Sequence, residues 1–154
     1  MPDPIRIVHY LNQFFAGIGG EEQGDAPVGR RDGPVGPGLV LQEALGVEAR
    51  IVATVWCGDN RFHERQDAAV ADLLRLIEAE RPGVVIVGPA FNAGRYGTAC
   101  AILGSAVVQK LGVPVVSGMF PENPGVDVGR GDVYIVPTAA TAGGMRAAVR
   151  AVAR

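Results

Sequence analysis

The sequence predicts one α/β domain over residues 1–154, a three-layer α/β/α sandwich around a mainly parallel sheet of five strands. Three observations predict it. Short apolar runs recur along the chain, and they are continuous rather than alternating, as in strands covered on both faces. Helical periodicities lie between them. Strand and helix therefore alternate, which calls for right-handed crossovers and a flavodoxin- or Rossmann-like topology. At 154 residues, one such domain buries roughly 70% of the surface of its unfolded chain.

Ile5–Tyr10 reads as the first strand. The segment 16–38 then breaks the rhythm, with eight glycines and three prolines in 23 residues. That is far longer than an ordinary strand-to-helix connection. Within it Gly33-Pro-Val-Gly-Pro-Gly38 alternates residues that fix φ with residues that permit a turn, so a working loop is expected rather than a slack linker. Leu39–Leu45 reads as a short helix stopped by Gly46, and Arg50–Val55 as the second strand. In Glu64–Arg81, Val70, Leu73, Leu74 and Ile77 form one helical stripe. Val84–Val87 is the third strand. Gly97–Leu111 carries the stripe Ile102, Leu103, Ala106 and Val107, with Gly112 placed for a left-handed cap and Pro114 beyond it. Val113–Ser117 and Val133–Val136 complete the sheet, and Ala140–Ala153 closes the domain as an amphipathic helix.

Several function classes are excluded by composition. The formal net charge is −2, and 13 of the 14 basic residues are Arg, scattered rather than gathered into a field for nucleic acid. No basic segment followed by an apolar run marks a secretory leader, and no apolar stretch approaches membrane-spanning length. Cys57 and Cys100 fall outside any Cys-x-x-Cys spacing, which sets aside a disulfide framework or zinc knuckle and makes a reducing cytoplasm the expected location. With His9 and His63 the only histidines, no histidine-rich metal site is expected.

Four polar clusters fall at or just beyond strand ends that open on one edge of a parallel sheet, where open α/β proteins hold ligands. His9, Asn12, Gln13, Glu21 and Glu22 follow the first strand. Paired carboxylates beside glycines repel phosphate; they suit an amine, a cation or a metal, or form a solvated loop. Gly17-Ile-Gly-Gly-Glu-Glu22 imitates a dinucleotide fingerprint but puts Glu22 where the last glycine belongs, and no Gly-Lys-Ser/Thr phosphate loop exists. Trp56-Cys-Gly-Asp-Asn60 follows the second strand. Cys57 is either a nucleophile beside a helix start or a residue packed next to Trp56. Gly88–Gly97 follows the third, and its Asn92 and Arg95 are suited to a carboxylate at a helix N-terminus or to pinning the loop. Met119–Pro124 follows the fourth, with Glu122 and Asn123 either orienting a polar ligand or serving the turn. Tyr10, Phe14, Phe15, Trp56, Phe91 and Tyr96 are able to line a pocket for a quaternary ammonium or to fill the core.

These motifs carry a resemblance. His9-Tyr-Leu-Asn-Gln-Phe-Phe-Ala-Gly-Ile-Gly-Gly-Glu-Glu22, Gly33–Gly38, Trp56-Cys-Gly-Asp59, Gly88–Gly97 and Glu122-Asn-Pro-Gly-Val-Asp127, in this order, resemble the N-terminal region of the component B selenoprotein of glycine, sarcosine and betaine reductases. The resemblance implies a subunit for reductive C–N cleavage of a small amino acid or N-methylated glycine. Charge and loop position, and not the resemblance, make Asn12, Glu21, Glu22, Asn92, Arg95, Tyr96, Glu122 and Asn123 the expected substrate contacts. The resemblance also implies a pyruvoyl group on a separate subunit that engages the amine, and a selenolate that attacks the α-carbon. A carrier protein then receives the carboxymethyl group. Making the amine a better leaving group before attack splits one hard step into two. The family's selenocysteine lies beyond the region matched here, so no cofactor is expected on this chain. A chain carrying the C-terminal half of component B is the expected source of the nucleophile. Two other classes stay open: a non-catalytic scaffold whose glycine loop wraps a partner, and a stand-alone thiol- or metal-dependent enzyme using Cys57.

Overall fold

The computed structural model describes residues 3–153, and its sheet has six strands rather than five. In chain order the strands are β1 (Ile5–Asn12), β2 (Gly29–Asp32), β3 (Ala49–Cys57), β4 (Val84–Phe91), β5 (Val115–Met119) and β6 (Tyr134–Pro137). The helices are α1 (Pro37–Leu45), α2 (Asp59–Glu64), α3 (Gln66–Ala79), α4 (Gly94–Leu111), α5 (Gly125–Val128) and α6 (Met145–Ala153). Across the sheet the order is β2-β3-β1-β4-β5-β6, with every neighbouring pair parallel except β2 against β3. The five parallel strands therefore follow the flavodoxin-like order. The chain steps outward from β1 to β3 and then reverses to β4, so the switch point lies between the C-terminal ends of β1 and β4.

The sixth strand comes from inside the long loop. Gly29–Asp32 pairs antiparallel with Trp56–Ala53 at the β3 edge. It has no apolar alternation to betray it, and three of its four residues are exposed. Gly29 is required there because a Cβ would overlap the Trp56 ring.

Both faces of the sheet are covered. On one face α2, α3 and α4 bury Val8, Tyr10, Val55, Cys57, Val85 and Val87 beneath Leu73, Ile77, Leu103 and Val107. On the other, α1 and α6 bury Ile7, Ile51 and Ile86 beneath Leu41, Val149 and Val152. A register shift between Ile7 and Val8 leaves Val52 as an extra residue in β3, with Ile7 opposite Ile51 but Val8 opposite Ala53. The helical stretch expected from Glu64 to Arg81 divides at Arg65, where φ is −130°, into α2 and α3. Gly112 takes the left-handed cap conformation at φ 67°, and its N–H donates to Val108 O.

Candidate functional site

The switch-point edge is built from the ends of β1, β3 and β4 and the helices that leave them. Asn12, the last residue of β1, is buried and fully engaged. Its Nδ2 donates to Asp59 Oδ2 at 3.1 Å, and its Oδ1 accepts from the Phe15 N–H at 3.0 Å. The neighbouring Gln13 accepts the Asp59 N–H on Oε1 at 3.0 Å. Two carbonyls of the long loop do the rest: Ala26 O accepts from the Gly58 N–H at 2.9 Å and Gly24 O from the Arg61 N–H at 3.0 Å. The first turn of α2 has no side-chain cap of its own. The N–H groups of Gly58, Asp59 and Arg61 are instead satisfied by Gln13 and the loop.

Asp59 opens α2 and is the centre of this arrangement. Burial pushes its carboxyl above the usual range, opposed by the Asn12 hydrogen bond and by the positive charges of Arg95 and His63. The exposed Arg95, in the first turn of α4, donates from Nη1 to Asn60 Oδ1, and its backbone carbonyl accepts from His63 Nε2 at 2.9 Å. Beneath them lie Tyr10 and Tyr96, both fully buried, with ring centroids 6.3 Å apart. Burial pushes both phenols well above their ordinary range. Tyr10 Oη, Tyr96 Oη and Asp59 Oδ1 have no hydrogen-bond partner among the described residues. The edge thus combines an exposed guanidinium with a half-buried carboxyl that holds its proton more tightly than usual. Such a pair is able to bind an anionic group and to exchange a proton beside it.

The remaining expected residues lie around this centre. Glu21 and Glu22 are exposed in a 3₁₀ turn, where Glu22 Oε1 accepts the Gly20 N–H at 2.9 Å. Asn92 is exposed just past β4, and its backbone N–H donates to Ala140 O at 3.1 Å. Phe91 before it sits at φ 51°, a strained conformation for an aromatic residue. Asn123 holds that strain in place. It is buried, donates from Nδ2 to Phe91 O at 2.8 Å and Ala93 O at 3.2 Å, and accepts the Gly125 N–H at 2.9 Å. With both ends of its amide spent, Asn123 shapes the edge from behind. Glu122 beside it is exposed.

Cys57 does not suit the role of nucleophile. It is fully buried at the end of β3, 4.0 Å from Ala26 O, and burial pushes its thiol up to about 11. Cys100, inside α4, is likewise buried with its thiol held well above the ordinary range. Both are free cysteines. Neither fits the chemistry of a selenolate, which needs an exposed, ionised chalcogen. Asp59 and Asn60 belong to the polar cluster expected after the second strand but carried no assigned role, and His63 is an addition. The signal for Asp59 was the acid two residues past a strand end, at the start of a helix. Among the described residues no group of three or more His, Cys, Asp and Glu is able to hold a metal, and no helix is long and apolar enough to cross a membrane.

Comparison with known proteins sets this edge in a family. The family model for glycine/sarcosine/betaine reductase selenoprotein B matches residues 4–154. The chain belongs to this family. Among curated members of the glycine/sarcosine/betaine reductase selenoprotein B family, the glycine reductase complex component B subunit gamma of Carboxydothermus hydrogenoformans is 53% identical over 145 residues, 94% of this chain and 33% of its own length. The sarcosine reductase complex component B subunit beta of Peptoclostridium acidaminophilum is 49% identical, over 92% of this chain and 33% of its own length. The betaine reductase complex component B subunit beta of the same organism is 38% identical, over 97% and 34%. The chain therefore spans about a third of the length of these relatives. No solved structure matches it at a significant level.

Proposed function

We propose that this chain forms one wall of a component B substrate pocket in the reducing cytoplasm, at the switch point between β1 and β4. There a small amino acid or N-methylated glycine is held for reductive C–N cleavage. The observation that carries the reading is family membership across residues 4–154, with relatives named for glycine, sarcosine and betaine reductase complexes. Those three compounds share a carboxylate and differ at nitrogen. A guanidinium held at the start of a long helix is suited to the shared end, through two parallel hydrogen bonds and the helix dipole.

In this reading Arg95 takes the carboxylate with Asn92 beside it, and Asn60 holds the guanidinium in place between substrates. Asn12 and Tyr96 form the floor, with Asn12 fixing Asp59. Glu21, Glu22 and Glu122 face the amine side, where negative charge favours an ammonium. Asn123 holds the loop that carries Asn92. The buried thiols of Cys57 and Cys100 leave the attack on the α-carbon to a selenocysteine or cysteine elsewhere in component B. The pyruvoyl group belongs on a further subunit, and a carrier protein receives the product fragment. Their chemistry is to activate the amine and to supply the nucleophile, while this chain binds and orients.

The test is calorimetric titration of the assembled component B protein with glycine, sarcosine and betaine. Arg95→Ala is expected to weaken whichever of the three binds by about tenfold or more, the scale of a lost charge-assisted pair. Unchanged affinity would show the carboxylate assignment to be wrong.

A further inference from the structure

The two edges of the sheet are finished in opposite ways. At the β2 edge, three of the four residues are charged and exposed, and Arg30 pairs with Asp32 at 2.7 Å and with Glu80. Charged side chains of this kind keep an edge strand from pairing with another chain. At the opposite edge, among the described residues, β6 is hydrogen-bonded only to β5. Its sequence is Tyr134-Ile-Val-Pro137, and no charged residue occurs between Asp132 and Arg146. Tyr134 is 72% exposed although it lies in a strand. Next to this edge an apolar groove runs between β6 and α6, lined by Val116, Tyr134, Val136, Ala151 and Val152. A bare edge with an apolar groove beside it is a template for another stretch of polypeptide.

We infer that the β6 edge and the β6–α6 groove seat an apolar segment from the part of component B that lies outside the region shared with this chain. Two observations point to that occupant. The matched relatives devote only 33–35% of their length to the shared region, so about two-thirds of a component B polypeptide must pack against this fold or stand apart from it. The groove and edge are apolar and uncharged, as surfaces buried within one protein are, and unlike the guarded β2 edge. The inference rests on family membership and not on the carboxylate assignment of Arg95.

Photo-crosslinking in the assembled component B protein tests it. Tyr134 is replaced by p-benzoylphenylalanine, which keeps an exposed aromatic side chain at that position, and the same probe is placed at Arg31 on the opposite edge as a control. After irradiation without substrate, adducts from position 134 are expected to map to component B residues outside the shared region, whether on the same or a second polypeptide. Position 31 is expected to give at least tenfold less adduct. Adducts from position 134 to residues 3–153 of a second copy would overturn the inference in favour of self-pairing, and so would equal or absent labelling at the two edges. Because no substrate is present, a negative result here leaves the Arg95 assignment untouched, and the reverse holds for the titration.

Discussion

Asn12 and Asp59 meet across 3.1 Å, joining the last residue of β1 to the first residue of α2. The bond ties a strand end to a helix start that are 47 residues apart in sequence. It also spends the Asn12 carboxamide on architecture, since the other end accepts the Phe15 N–H. Asn12→Ala leaves both partners short of a bond in a half-buried setting, and is expected to lower unfolding stability by roughly 1–3 kcal/mol. Urea denaturation measures it. A loss below a few tenths would mean that water replaces the amide without penalty.

His9 makes stability depend on pH. It is fully buried in β1, Nε2 donates to Gly88 O at 2.6 Å, and burial lowers its pKa from 6.5 to about 4. A base whose folded pKa is depressed is favoured neutral in the fold. Its contribution is complete above about 6.5 and is lost as pH falls toward and through about 4. The loss over that window is on the order of 3 kcal/mol. His9→Gln keeps a donor for Gly88 and cannot titrate, so its unfolding free energy should be flatter between pH 7 and 4.5. Parallel pH profiles of the two proteins would speak against this role for His9.

Thiol reactivity separates packing from chemistry at Cys57. With both cysteines buried and both thiols shifted upward, Ellman's reagent at neutral pH is expected to react slowly with the native chain and at once in denaturant. Fast native labelling lost in Cys57→Ser would restore that residue as a nucleophile.

Gly97 lets α4 approach the turn after β5. A Cβ there would overlap the Asn123 carboxamide that secures Phe91 and Ala93. Gly97→Ala is expected to destabilise the domain by roughly 1–3 kcal/mol through overpacking. It should also raise amide exchange across residues 91–93. Exchange that stays unchanged there would show that the turn yields without releasing Asn123.

The parallel strands were legible because both faces of the sheet are buried, which leaves continuous runs such as Ile5–Tyr10 and Val84–Val87 in the sequence. Gly112 was legible as a cap because the required conformation excludes most other residues. β2 was hidden for the opposite reason: Gly29-Arg-Arg-Asp32 is a strand by virtue of the β3 edge and has no pattern of its own. The division at Arg65 and the longer reach of β3 to Cys57 reflect tertiary packing that periodicity does not encode. At the site, charge and loop position singled out Arg95 and the acidic residues as candidates. They did not distinguish a free amide from one already committed to internal hydrogen bonds, as those of Asn12 and Asn123 are. Asp59 was visible as a member of the Trp56–Asn60 cluster but had no role of its own, because its burial is a property of the folded chain.

The loop carbonyls that accept from Gly58 and Arg61 bear on how this family tolerates insertion and deletion. Ordinarily a glycine-rich excursion of this length is the first place where a chain is trimmed. Here Gly24 and Ala26 finish a helix that begins more than thirty residues later. Shortening the excursion by even a few residues would strand the opening N–H groups of α2 and loosen Asp59 with them. The segment therefore behaves as a distant part of the helix itself, and a deletion within it should unravel structure on the far side of β3.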